Sequence, residues 1–356
     1  MKRKLLVAVP LLCLVALLPW FFRPKHESLS DAYINERSVT LWSSIAQVRE
    51  QLGVLLYGDH VDVLARHNEN VKVRTAAGLV GWVDGRYLME PELWQRSAKL
   101  LQQASAIPIQ ARGRTKVPTN LRVQPGRNEP RLYQFSRNAP VEIVGRATAD
   151  WVQVSDEKET ASEPAETKRE DWFLIRGTAT RPPGEGVVRN SAITNTTQPG
   201  DQTIPIAGWV VARFVSLDLP EPVRVGTESA NIRPLAWFEL NRVADGEGEH
   251  SQYLVAGARG PEGLPCDFTT LRVYTWNTRK IRYETAFIDN NLCGALPIRI
   301  AKDPKGQPEF FFRLFGGKED RHFRLIQTVV RRIKDENLGT PSKSEKAKPK
   351  QALPKK

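Results

Sequence analysis

The sequence predicts a mainly β protein built from small antiparallel barrels, with a further antiparallel β domain at its C-terminal end. Three observations predict it. First, Gly78–Leu88 (GLVGWVDGRYL) returns as Ile206–Leu217 (IAGWVVARFVSL), and Gly81, Trp82, Val83, Arg86 and Tyr87 are matched by Gly208, Trp209, Val210, Arg213 and Phe214 at identical spacing. Second, short alternating runs separated by turn residues precede both copies, the pattern of half-buried strands. Third, 25 prolines and 24 glycines in 356 residues favour many short strands over long helices.

Lys2, Arg3 and Lys4 precede an unbroken apolar run, Leu5–Phe22. At 1.5 Å per residue it reaches roughly 27 Å, about the thickness of a bilayer core. Residues 1–30 are therefore expected to be a signal or anchor segment, with a single-pass helix in the cytoplasmic membrane and the bulk of the chain extracytoplasmic. Cleavage to a secreted form stays open, with Ser28-Leu29-Ser30 as the best small-x-small site.

Residues 31–90 read as a first barrel, with strands at Val39–Trp42, Leu55–Asp59, Val61–Leu64, Val71–Arg74 and Leu79–Val83. Pro91–Ala106 differs: Leu93, Trp94, Ala98, Leu101 and Ala104 recur at helical spacing, which predicts a linker helix with Arg96 and Lys99 toward water. Residues 107–220 form a second unit, in which Val141–Arg146 matches Val61–Arg66 and Trp151–Val154 follows. Ser155–Glu170 and Gly177–Pro205 interrupt it as polar loop insertions, tolerable because closure entropy grows slowly with length. Residues 225–335 carry seven alternating or apolar runs and are expected to form an antiparallel sandwich or small barrel. Pro341–Lys356 has six lysines and one glutamate; residues 336–356 are expected to be a disordered basic tail.

The motifs of the second unit are Thr119-Asn120-Leu121-Arg122-Val123-Gln124-Pro125-Gly126, Val141–Val144, Trp151-Val152-Gln153-Val154 and Ala207-Gly208-Trp209-Val210. They resemble the bacterial SH3-like (SH3b) family, whose order is N-[LV]-R-x-x-P-G, V-x-V-[LI], W-x-x-V and G-W-V. The first unit keeps the second and fourth elements. It has Val39-Thr40-Leu41-Trp42 where the opening would sit and no tryptophan before Val71, so its membership rests on the repeat. The resemblance covers about half the chain and implies small barrels used for binding cell-wall or cell-surface ligands. It implies no chemistry.

Candidate site residues follow from it. Tyr57, Trp82, Tyr87, Trp151, Trp209 and Phe214 lie in or beside the repeated strands and are the candidates for a ligand groove; the close match of Trp82 with Trp209 also fits a shared core role. Cys266 and Cys293 are the only cysteines outside the apolar run, and an oxidising compartment would pair them. Wall-cleaving cysteine peptidases often accompany SH3-like domains and carry Asp-Cys-Ser-Gly; here the order is Pro265-Cys266-Asp267-Phe268, so no catalytic thiol is expected. His26, His60, His67, His250 and His322 have no metal-site spacing and are expected to be solvated. No catalytic residue, metal or cofactor is expected.

The net charge of +12 draws polyanions, and the apolar N-terminus points to envelope polymers or headgroups, not nucleic acid. The sequence reads as a non-catalytic, membrane-anchored binding or scaffolding protein of the bacterial envelope, its partner peptidoglycan or another envelope component. The alternative is an envelope enzyme or enzyme subunit with its site in residues 225–335.

Overall fold

The computed structural model describes residues 28–152, 167–181, 202–246 and 248–333. The expected anchor Leu5–Phe22, the centre of both insertions and the basic tail lie outside these residues. Among the described residues, no helix is long and apolar enough to cross a membrane. The chain divides into two compact units. One comprises Met1–Ser105, Thr115–Val141 and Leu174–Val210; the other comprises Ala106–Arg114, Glu142–Phe173 and Val211–Lys356.

The architecture is mainly β, with three seven-stranded sheets. The first contains β1 (Ser30–Ile34), β2 (Ser38–Trp42), β3 (Gln51–Leu56), β4 (His60–His67), β5 (Asn70–Thr75), β6 (Val80–Asp84) and β7 (Leu88–Met89). Period-2 alternation decides which residues face inward. Ala32 and Ile34, Val39 and Leu41, Val61 and Val63, Val71 and Val73, and Val83 all meet in one apolar cluster. Strand β1 extends the expected five strands at their N-terminal side. Its SDAYI alternation is short and lies against the segment read as a leader.

The second sheet contains β8 (Ala111–Thr115), β9 (Thr119–Arg122), β10 (Arg131–Phe135), β11 (Pro140–Val152), β12 (Thr167–Arg181), β13 (Gln202–Val211) and β14 (Val215–Leu217). The first sheet runs β3-β2-β6-β5-β4-β1-β7 and the second β10-β9-β13-β12-β11-β8-β14. Each strand of one order has its counterpart at the same place in the other, so the sequence repeat is a repeat of topology. A one-turn 3-10 helix follows the Gly-Trp strand in both, Gly85–Tyr87 and Ala212–Phe214. The glycines explain themselves by close approach. A Cβ on Gly81 would sit 2.7 Å from Leu41 Cγ and 2.8 Å from the Trp42 carbonyl oxygen; one on Gly208 would sit 2.6 Å from Leu121 Cγ and 2.8 Å from the Arg122 carbonyl oxygen.

Helix α1 (Pro91–Ser105) is the linker helix. Trp94 stacks on Tyr33, with ring centroids 4.7 Å apart and planes at 7°. Arg96 and Lys99 face water as expected, but Ala98 is exposed and Ser97 buried in its place. Ser97 is drawn inward because its hydroxyl bonds the buried Tyr57 phenol.

A second helix, α2 (Glu221–Ser229), was not legible in the sequence. It starts at Pro220 and Glu221 with a proline in its first turn and buries only Val223 and Thr227, too little apolar periodicity to stand out. The third sheet follows: β15 (Arg233–Asp245), β16 (Gly248–Ala258), β17 (Phe268–Asn277), β18 (Arg282–Lys302), β19 (Pro308–Leu314), β20 (Asp320–Ile326) and β21 (Val329–Ile333). Its order is sequential, an antiparallel meander in one sheet. Strand β18 is the longest of them, Arg282–Lys302. Asp289-Asn290-Asn291 lies within β18, with Asn291 at φ 65° absorbing an irregularity of the register as a bulge. Between Ala295 and Arg299 the register shifts, and the buried Gln110 side chain fills the gap. Its Nε2 donates to the Ile298 carbonyl at 3.1 Å, and its Oε1 accepts from the Ile298 amide at 2.8 Å, so one side-chain amide stands in for a strand residue.

Buried charge holds the loop before β17. The guanidinium of Arg146 is 2% exposed and the carboxylate of Asp171 1%. Arg146 donates to Asp171 and to the carbonyls of Leu264 and Cys266 at 2.9 Å. Asp171 also accepts from the Gly263 amide at 2.8 Å and from Arg233 at 3.1 Å. Cys266 lies at disulfide distance from Cys293, with Cα atoms 4.8 Å apart.

Candidate functional site

The Gly-Trp strand builds a face by alternation. On β6, Gly81 and Val83 turn inward, so Trp82 is left half-buried on the other side. On β2, Val39 and Leu41 turn inward, so Trp42 is left half-buried likewise. Trp42 and Trp82 are register partners, and Lys72 is the partner of Trp82 on β5. The result is a row Trp42–Trp82–Lys72 across three strands. The Arg49 guanidinium lies 4.3 Å from the Trp42 ring centroid, and Lys72 Nζ lies 6.0 Å from that of Trp82. Each contact is worth about 0.5–1 kcal/mol at a solvent-facing site. Among the described residues neither cation has a carboxylate partner, so both keep charge to offer an anionic ligand. Flat indole faces suit the C–H faces of sugars or apolar side chains, and the flanking cations suit anionic groups.

This arrangement corrects the shared core role expected of Trp82 and Trp209. Both are half-buried, while their neighbours Val83 and Val210 are buried. It also adds Trp42, Arg49 and Lys72, which the sequence reading had not singled out. The alternation Val39-Thr40-Leu41-Trp42 carried that signal, because it sets Trp42 on the parity opposite Leu41.

The second repeat is not equivalent. Trp209 pairs in register with Arg122 where the first repeat has Trp42, and the Arg122 guanidinium is held by the Glu129 carbonyl. Burial, then the neighbouring Arg131, push the Arg122 guanidinium down. Tyr87 and Phe214 occupy matching places in the two 3-10 turns, each with the preceding arginine over its ring, at 5.1 Å for Arg86 and 5.4 Å for Arg213. Arg86 pairs with Asp84 at 2.9 Å. Arg213 pairs with Glu170 at 3.0 Å and Glu262 at 3.7 Å, and stands 6.0 Å from the Trp151 ring. Tyr87 and Phe214 thus occupy equivalent turns whose arginines have different ion-pair partners.

Tyr57 leaves the candidate set. It is 1% exposed, with Trp94 at 5.9 Å and Tyr133 at 5.0 Å between ring centroids. Burial pushes its phenol up, against the pull of the Ser97 hydroxyl. It is an interior aromatic closed to any ligand.

Two histidines depart from the solvated expectation. His250 stacks on Trp276 with centroids 3.8 Å apart and pairs with Asp245 at 3.0 Å. His322 lies against Phe311 at 4.2 Å and Glu309 at 3.1 Å. Asp31, His60 and Asp62 bring donor atoms within 4.8 Å of one another. Arg74 donates twice to Asp62, at 2.8 and 3.0 Å, and supplies the positive charge there.

No family model matches the sequence, and no curated protein matches it. Among solved structures, the chain is similar to an NlpC/P60 family protein from Bacillus cereus ATCC 10987, at 12% identity and TM-score 0.20, over 73% of this chain and 94% of that one. It is also similar to NlpC2 from Trichomonas vaginalis, at 9% identity and TM-score 0.16 over 85% and 97% of the two chains. NlpC1 from the same organism gives 8% and 0.16 over 74% and 92%. These scores fall well below those of a shared fold and carry no argument about activity.

Proposed function

We propose that this chain is a non-catalytic binding or scaffolding protein of the bacterial cell envelope, whose two matching seven-stranded sheets are SH3-like barrels that contact peptidoglycan or an envelope protein. The single observation that carries the reading is the Trp42–Trp82–Lys72 row with Arg49 above Trp42. It is a half-exposed aromatic strip with two cations that no described carboxylate neutralises. The Leu5–Phe22 segment would hold the protein at the membrane, so that a weak affinity per site gains from high local concentration.

The test is retention of the purified protein on insoluble peptidoglycan across a salt series. Retention that survives high salt and is lost in the W42A/W82A variant supports a specific aromatic site. Retention that vanishes with modest salt equally in all variants reduces the effect to charge alone. No retention at any salt sinks the peptidoglycan version and leaves a protein partner.

A second reading is an envelope enzyme or enzyme subunit with its site in residues 225–335. One observation favours it: an open cleft lined by Arg259, Arg272, Tyr274 and Thr285. Its lining brings no carboxylate, imidazole or thiol, which supports binding over acid–base chemistry.

A further inference from the structure

The cleft has a chemistry of its own. It encloses about 460 Å³ and is lined by Gly226, Ser229 and Ala230 at the end of α2, Arg259 after β16, Arg272 and Tyr274 on β17, and Thr285 on β18. The sheet register explains the grouping. Tyr274 pairs with Thr285 across β17 and β18, and Arg272 and Tyr274, two residues apart, share one face of β17. Helix α2 closes the same face, because Gly226 lets the Tyr274 ring approach: a Cβ there would sit 2.6 Å from two ring carbons.

The donors left there lack acceptors. Tyr274 is 4% exposed, and its hydroxyl meets only the donor-only Arg272 guanidinium, which leaves its O–H proton without an acceptor; the buried Nε of Arg272 makes no hydrogen bond among the described residues. Neither Arg259 nor Arg272 has a carboxylate partner among the described residues. The nearby acids are committed elsewhere. Glu228 takes Arg224 at 3.1 Å, and Glu284 takes Lys280 at 2.8 Å and Arg282 at 3.0 Å. The last carbonyls of α2 are also engaged: Thr227 accepts from Ile232 and Glu228 from Asn231. Burial pushes the Tyr274 phenol up, against the pull of Arg272, so the hydroxyl stays a neutral donor.

Buried donors without acceptors are rare in folded proteins and call for a partner. Two guanidinium forks offer donors only, and the buried phenol and the Thr285 and Ser229 hydroxyls can each turn a donor to the cleft, which together complement an oxyanion. We infer that the cleft between α2 and strands β17–β18 is a binding site for an oxyanion, the phosphate or carboxylate group of a ligand, held by Arg272, Arg259 and Tyr274. This site is separate from the tryptophan row and stands or falls without it.

The test is equilibrium dialysis of the full chain with labelled inorganic phosphate and, in parallel, with labelled acetate, at ionic strength fixed with chloride. The expected result is saturable binding at one site per chain. Arg272→Gln should weaken it at least about tenfold, as loss of a charge-assisted hydrogen bond does. Tyr274→Phe removes only the hydroxyl, and should weaken it several-fold with the thermal midpoint almost unchanged. Arg224→Gln, on the same helix but paired with Glu228 and outside the lining, should leave it unchanged. Saturable phosphate binding identifies a phosphorylated ligand; saturable acetate binding without phosphate binding identifies a carboxylate. The inference is overturned if neither anion saturates above the chloride background. It is equally overturned if Arg224→Gln weakens binding as much as Arg272→Gln, because the basic surface as a whole would then be responsible.

Discussion

The interior of the first sheet and the interior around Arg146 solve the same packing problem with opposite materials. The first is apolar throughout: Ile34, Leu41, Val61, Val63 and Val73 are fully enclosed, and each adds stability through area removed from water. The second encloses a guanidinium and a carboxylate, with Arg233, Asp267, two carbonyls and an amide bonding to them, while the buried Arg146 Nε has no partner among the described residues. An apolar interior needs its volume filled but not any particular partner, since apolar contacts carry no direction. A buried ion network depends on its particular partners, because each one lost leaves charge less compensated away from water. The second kind of interior therefore fixes where the 259–267 loop lies, and the first kind fixes only which face of a strand is inward.

The largest effect expected from this contrast is at Asp171. Its removal in Asp171→Ala leaves Arg146 buried without its carboxylate, and should cost about 3–5 kcal/mol, read from urea denaturation. A cost below about 1 kcal/mol would mean that water reaches Arg146 and that the network is not an interior at all. Next comes Cys293→Ser. Opening a loop of about 28 residues should cost roughly 3–4 kcal/mol in the chain-entropy account. Because Arg146 donates to the Cys266 carbonyl, the two losses should not add in the double variant. Strict additivity would show the network and the disulfide to be independent.

The apolar interior gives a smaller and symmetric prediction. Gly81→Ala and Gly208→Ala each press a methyl against a leucine and a strand carbonyl at nearly the same distances. Each should cost about 1–3 kcal/mol by overpacking, and the two values should agree within error. A large difference would show that the repeat is one of sequence and strand order only.

The same contrast decides what was legible in the sequence. The strands of the first sheet could be read because Val61-Asp62-Val63 and Val71-Lys72-Val73 alternate, and alternation is all that an apolar interior asks. The Gly-Trp repeat was legible because Gly81 and Gly208 answer an identical steric demand. The row at Trp42 was half legible: its parity could be read, but its register with Trp82 is set by strands that are distant in sequence. Arg146, Asp171 and Gln110 gave no signal. Their partners lie 25 to 188 residues away, and an isolated Arg, Asp or Gln in a sequence reads as solvated. The cleft at Tyr274 was hidden for the same reason, since α2 carries too few apolar residues to reveal that it covers β17.

The smallest expected effect lies at the edge of the network, in Asp267. Its carboxylate accepts from the Leu296 amide at 2.8 Å and from Arg146 at 3.4 Å. Burial nonetheless outweighs both and pushes the group above its ordinary 3.8. The sign follows from proton counting. Just above pH 3.8 the unfolded chain has released this proton and the folded chain still holds it, so the folded state binds more protons and stability falls as pH rises through that window. Asp267→Asn keeps an oxygen for the Leu296 amide and removes the titration. Urea midpoints of the two proteins from pH 3 to pH 7 should therefore converge toward neutrality, the wild type losing stability relative to the variant as the pH passes the raised value. Curves that stay parallel would place Asp267 in water and confine the ionic interior to Arg146 and Asp171. Curves that cross in the opposite sense would mean that Arg146 stabilises the carboxylate more than burial penalises it, and the network would then reach as far as the disulfide's own loop.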